Sequence, residues 1–242
     1  MESRSSSAIP PRTTGLSLES MTSPRLGNCW GSSRAIRVVA LLLFVSALGC
    51  SDDSTGVSSQ KYSERSDSSF AVADSSVLEI NNFAGNVTVA PGIPGVIHVV
   101  AEKWASRRAD LGEIEVEMTE LQNGVRVVTS NPSGLTGVSV DVEATAPTDT
   151  RPAIQTAAGN IAYEGRAEGE CSFATSAGSI TLRLPADVNV EVHLSVGAGT
   201  IEVGFPVVGQ VAAHAVDGTI GTGADGRIVA QVGAGRIVVV SQ

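Results

Sequence analysis

An all-β fold, drawn as one β-solenoid domain with units of about 20 residues, is what this 242-residue sequence predicts. Three observations point to it. From Phe70 onward, apolar residues recur at every second position. A short pattern, in which a small residue, glycine and a small polar residue precede Ile or Val, returns at nearly constant spacing. The composition is that of a thin aliphatic core, with 4% aromatic residues, 17% charged residues and 26 glycines. Average soluble proteins carry roughly 25% charged residues and about 7% glycine.

The alternation runs Ile114-x-Val116-x-Met118, Val125-x-Val127-x-Thr129 and Ile180-x-Leu182-x-Leu184. It continues through Val188, Val190, Val192, Leu194 and Val196, and then Ile201-x-Val203-x-Phe205. Side chains at every second place share one face of a strand, so each run has a buried and a solvated side. Only Glu102 to Leu111 could form a short helical turn. Asn123-Gly124 between two alternating runs predicts a hairpin with φ > 0 at its centre. Glu113, Glu115 and Glu117 fall on one outward face, read as a solvated surface that discourages edge pairing rather than a row of cation ligands.

The repeat glycines are Gly85, Gly159, Gly178, Gly199, Gly218 and Gly235, in the lines Ala84-Gly-Asn-Val, Ala158-Gly-Asn-Ile, Ala177-Gly-Ser-Ile, Ala198-Gly-Thr-Ile, Asp217-Gly-Thr-Ile and Ala234-Gly-Arg-Ile. From Gly159 onward they are 19, 21, 19 and 17 residues apart. Glycine supplies the tight corner, and Ile or Val starts the next inward row. Pro185-Ala186-Asp187 and Pro206-Val207-Val208-Gly209 read as the looser turns. One unit cannot bury its apolar face alone, whereas stacked units bury a continuous core. A sandwich whose hairpins recur at the same spacing is the competing architecture.

Upstream, residues 1–49 read as a leader. Arg34 and Arg37 precede the apolar run Val38–Val45, which is too short to span a bilayer, and small residues and Cys50 follow. Met21 is a candidate true start. Ala47-Leu48-Gly49-Cys50 resembles the lipobox of bacterial lipoproteins, which implies cleavage before Cys50 and lipidation of its sulfur. Residues 50–69 are a Ser/Asp-rich stretch expected to act as a disordered tether, leaving 70–242 for the β domain. A chain starting at Cys50 holds 11 basic and 23 acidic side chains, a net charge of −12 against −9 for the whole sequence. That balance disfavours nucleic acid as a partner.

The repeat, together with Val140-Asp-Val-Glu-Ala-Thr-Ala-Pro147 and Ile154-Gln-Thr-Ala-Ala-Gly-Asn-Ile161, resembles the DUF4097 "putative adhesin" family of β-strand repeat proteins. The resemblance runs from about Val77 to Val240. The family's usual Asp after glycine is replaced here by Asn86, Asn160, Ser179, Thr200, Thr219 and Arg236. The resemblance implies a right-handed β-helix-like fold on the cell envelope, and it carries no catalytic residues to transfer.

Catalytic and metal sites and a cofactor are not expected. Beyond the tether Lys103 is the only lysine, the aspartates are dispersed, and no carboxylate pair recurs at a fixed repeat position. Ser58-Ser-Gln-Lys61 spells S-x-x-K but lies in the tether. His193 and His214 are one repeat apart and could stack on adjacent coils, a weak metal site at best. Cys171 reads as a core residue. The expected function is a lipid-anchored envelope protein, exported and facing the periplasm or outer membrane, acting as a non-catalytic structural, adhesive or interaction module. The alternative is a carbohydrate-binding protein or polysaccharide-active enzyme. Expected partners are the membrane through Cys50, a protein or glycan on a surface, and a second copy pairing through Ile237–Val240 at the end of the last strand.

Overall fold

Strand structure begins before the alternation does. The computed structural model describes residues 62–242, so the leader, Cys50 and the start of the tether lie outside the described residues. Within them, β1 (Tyr62–Ala71) pairs antiparallel with β4 (Val96–Ala105) along its whole length. Tyr62–Ser69, expected to belong to a disordered tether, is therefore strand. This strand lies at the sheet edge with mostly exposed side chains, so its backbone ladder holds it and no apolar period is needed.

The other strands are β2 (Val77–Asn82), β3 (Val87–Pro91), β5 (Glu115–Leu121), β6 (Gly124–Ser130), β7 (Val138–Ala146), β8 (Arg151–Ala158) and β9 (Ile161–Glu164). Then come β10 (Gly169–Leu184), β11 (Val190–Val203), β12 (Val207–Val211), β13 (Ala215–Ile220) and β14 (Gly226–Ser241). A 3-10 helix, Arg108–Glu113, follows β4 and lies later than the helical turn expected from Glu102. The β5–β6 hairpin turns on Gln122-Asn123, and Gly124 is already a strand residue at φ 148°. A Cβ there would overlap the Val77 carbonyl, so this glycine serves close strand approach rather than the centre of the turn.

All the strands among the described residues belong to one 14-stranded sheet. It is creased so that β10, β11 and β14 each contribute to two arms. The first halves of these strands lie with β8, β2, β6 and β5, and the second halves with β9, β3, β7, β4 and β1. Inward residues of both arms form one aliphatic core, including Ile80, Ile154, Phe173 and Ile228 from the first and Val87, Ile161, Ile180 and Ile237 from the second. Tyr163 and Phe173 meet across it with ring centroids 5.2 Å apart.

The crease is a column of five repeat glycines. Gly85, Gly159, Gly178, Gly235 and Gly199 all have φ between 114° and 146°. A Cβ on Gly159 would overlap the Gly85 carbonyl, one on Gly178 that of Gly159, one on Gly235 that of Gly178, and one on Gly199 that of Gly235. Backbone conformation and close approach thus both require glycine. Hydrogen bonds run through the crease, from the Gly85 N–H to the Ala158 carbonyl at 2.8 Å and from the Gly159 N–H to the Ala177 carbonyl at 2.9 Å.

The units are parallel, but they do not stack in chain order. The spatial order is β6/β7, β2/β3, β8/β9, β10, β14, β11. A sequential solenoid would lay β11 on β10, whereas here β14 fills the place between them. Gly218 also leaves the expected column. It lies in β13, which runs antiparallel to β11, and its φ is not positive. The turn expected at Pro206–Gly209 is instead the entry to β12. Ile237–Val240, expected at a free edge, is inside the sheet. Ile237 pairs with both Ile180 and Ile201, and Val239 pairs with both Leu182 and Val203. Among the described residues no helix is long and apolar enough to cross a membrane.

Candidate functional site

Counting from the crease glycine gives each repeat position its surroundings. Two residues after glycine, Val87, Ile161, Ile180, Ile237 and Ile201 stand side by side in register. Three before it, Asn82, Thr156, Thr175, Val232 and Val196 face inward and are buried. The polar members of that inner row satisfy crease carbonyls. Thr175 Oγ1 donates to the Gly159 carbonyl at 3.0 Å, and Asn82 Nδ2 donates to those of Val140 (2.9 Å) and Gly85 (3.2 Å). Thr129 Oγ1 donates to Asn82 Oδ1 at 2.6 Å and accepts from the Phe83 N–H at 3.1 Å. Buried polar atoms without such partners would cost about 1–3 kcal/mol each.

One residue after glycine, a second ladder runs on the outside. The Asn86 N–H donates to Asp141 Oδ1 at 2.7 Å, the Asn160 N–H to Asn86 Oδ1 at 3.2 Å, and the Ser179 N–H to Asn160 Oδ1 at 2.9 Å. A neutral amide can accept from its neighbour's backbone without the mutual repulsion that stacked carboxylates would suffer. This accounts for Asn at Asn86 and Asn160.

The position four before glycine forms the candidate binding row. Asn81, Gln155, Ala174, Gln231 and Ser195 lie on adjacent strands in that order, all pointing outward. They line an open trough of about 650 Å³ beside the crease. Two positions further on, Ala157, Ser176, Gly233 and Gly197 are so small that the floor is largely backbone, and Phe83 closes one end. Among the described residues no charged side chain lines the trough. Its chemistry is that of amides and hydroxyls, which both donate and accept.

Sequence reasoning singled out the glycines but not this row. The available signal was the column read four residues upstream of each glycine, which is polar and uncharged in four of five units. The crease brings together Gly85, Gly159, Gly178, Gly199 and Gly235 as structural residues, and Gly218 stands apart.

The titratable side chains do not converge on the trough. Cys171 is fully buried in β10, and burial pushes its thiol up to about 12. Burial likewise raises the Tyr163 phenol, whose hydroxyl accepts from the Ala167 N–H at 3.3 Å. His193 sits on β11 with Nδ1 2.9 Å from Asp217 Oδ2 on β13. His214 is exposed in the turn before β13, so the two histidines do not occupy equivalent places on adjacent units. Among the described residues no group of three or more His, Cys, Asp or Glu could hold a metal ion.

No family model matches the chain, so none stands behind the DUF4097 resemblance. No curated protein matches it either. Among solved structures it is similar to a "putative cell adhesion protein" from Clostridium sporogenes, with 13% identity over 74% of this chain and 100% of that one and a TM-score of 0.46. It is also similar to "putative adhesins" from Bacteroides fragilis (9% identity, 73% and 97% coverage, TM-score 0.24) and Parabacteroides merdae (6%, 73% and 78%, 0.21). Identities of 6–13% and TM-scores of 0.21–0.46 carry no function over to this chain.

Proposed function

We propose that this chain is an exported protein of the bacterial cell envelope, anchored by lipid on Cys50, whose β domain is a non-catalytic adhesive or interaction module. The observation that carries the reading is the uncharged trough, built from one repeat position on five adjacent strands. A hydrolytic site needs a base, a nucleophile or a metal within hydrogen-bond reach of the substrate. The trough offers instead a row of neutral donors and acceptors on a rigid sheet, the make-up of a surface that holds a ligand without reacting with it. Cys50, with the leader before it and a polar tether after it, supports the anchor, and acyl chains on one residue hold a domain at a membrane stably when there are several.

Amide and hydroxyl side chains in a row favour a neutral glycan as the ligand, which keeps carbohydrate binding as the second reading. Two measurements test the proposal. Mass spectrometry of the protein from its native membrane should find an acylated Cys50 at the amino terminus. Any other terminus overturns the anchor. Glycan-array binding by the purified protein should be lost in Gln155→Ala/Gln231→Ala while the unfolding midpoint stays unchanged. Polysaccharide cleavage by the purified protein would overturn the non-catalytic reading.

A further inference from the structure

The two ends of the stack are built differently. At one end, β5 is the last strand of its arm, and Glu115, Glu117 and Glu120 stand on it with Glu113 just before it. None of the described ion pairs involves these four carboxylates. The other arm ends there on β1, which carries Glu64, Arg65 and Asp67. Charged edge strands resist pairing with a further strand.

At the opposite end the last strand is β12, Val207-Val208-Gly209-Gln210-Val211, and it has no charge at all. Among the described residues it pairs only with β13, which leaves one side of its backbone free. Val208 is 74% exposed and Val211 67% exposed, two of the four large apolar side chains that stand out from the described surface. The nearby carboxylates have side-chain partners: the His193 ring lies 2.9 Å from Asp217, Arg227 lies 3.4 Å from Glu191 and Arg236 lies 3.9 Å from Glu202. In this arm, a chain of net charge −9 thus ends on a sheet edge that a like-charged molecule can approach without meeting a carboxylate on the strand.

We propose that two copies of this chain pair through β12, antiparallel about a twofold axis near Gly209, so that the arm continues from one copy into the next. A patch that meets itself across a twofold is the commonest form of self-association. An edge strand meeting its own copy in this way is necessarily antiparallel. The free backbone groups of β12 gain partners, and Val208 and Val211 leave water. Five residues of strand make a small interface, so the dimer is weak and depends on concentration. The pairing is independent of what the trough binds and of the lipid on Cys50.

The test is sedimentation velocity of the purified chain from micromolar to several hundred micromolar, combined with hydrogen exchange. The expected result is a monomer–dimer equilibrium in which amide protection of 208–211 rises with concentration. Val208→Lys and Val211→Lys, at exposed sites that the fold does not need, should each weaken the dimer roughly tenfold or more. Thr119→Lys on β5 should leave it unchanged. A monomer throughout the range overturns the proposal. So does a dimer indifferent to both β12 variants, or a monomer whose β12 amides are protected at every concentration by another segment.

Discussion

Replacing Gly178 with alanine should destabilise the domain by roughly 2–4 kcal/mol, and the estimate follows from the crease. Gly178 has φ 142°, a region nearly closed to residues with a Cβ, and holding a non-glycine residue in such a sparsely populated region costs about 1–3 kcal/mol. The new Cβ would overlap the Gly159 carbonyl. Relief requires the two units to part locally, which stretches the 2.9 Å bond from the Gly159 N–H to the Ala177 carbonyl and forfeits about 0.5–1.5 kcal/mol. For a domain of this size, 1 kcal/mol moves the melting temperature by about 2–4 °C, so a drop of about 4–16 °C is expected. Circular dichroism during thermal and urea unfolding measures it. The control is Gly112→Ala, where an added Cβ meets nothing within 4 Å and the change should stay under about 0.5 kcal/mol. If Gly178→Ala unfolds within that same margin of the unaltered protein, the crease does not depend on glycine and the account of the repeat is wrong.

Asn82→Ala should cost about 1–3 kcal/mol in urea unfolding, because it strips the Val140 carbonyl and the Thr129 hydroxyl of buried partners. Stability should also fall at alkaline pH. The folded state holds Cys171 as a thiol up to about 12, whereas an unfolded thiol ionises near 8.5, so the contribution is intact below that value and declines by about 1.4 kcal/mol per pH unit above it. Tyr163 acts in the same direction, and Cys171→Ala should flatten the slope without abolishing it, as read from urea midpoints between pH 8 and pH 11. Truncation before Gly226 removes β14, the shared partner of β10 and β11, and the remaining chain should lose its β-type circular dichroism.

Much of the repeat was legible because a period-two strand and a glycine corner leave strong local traces. Ile180, Leu182, Leu184, Val190, Val192 and Leu194 alternate in sequence and are buried in fact. The order of the units was not legible, and the reason lies in the repeat itself. Ala234-Gly-Arg-Ile237 fits equally well against Ala177-Gly-Ser-Ile180 and Ala198-Gly-Thr-Ile201, and it pairs with both. Units that share one register are interchangeable as neighbours, so local sequence does not encode which lies beside which. Strand direction was hidden for a similar reason, since Asp217-Gly-Thr-Ile220 has the repeat's residues but runs antiparallel. The trough was missed because a polar outward position looks the same in sequence whether it faces open solvent or lines a groove. What makes it a groove is the small residues two places on, Ser176, Gly233 and Gly197 among them.

Inserting β14 into the middle of the stack also settles how the stack ends. A parallel array built in chain order finishes on its last unit, whose outer edge would accept another unit of the same kind. Here the last strand is enclosed, and three of the four arm ends carry strands antiparallel to their neighbours: β4 on β7, β5 on β6 and β13 on β11. Only the second half of β11, parallel to β14, keeps a parallel edge, and a further unit must pair along both arms at once, so the array of described strands does not extend unit by unit. The trough inherits that limit. Its outward row crosses five strands, and at about 4.8 Å between neighbours it is roughly 19 Å long. A bound polymer is therefore gripped over a short stretch only, and strong adhesion by this surface would have to come from many copies rather than from one long groove.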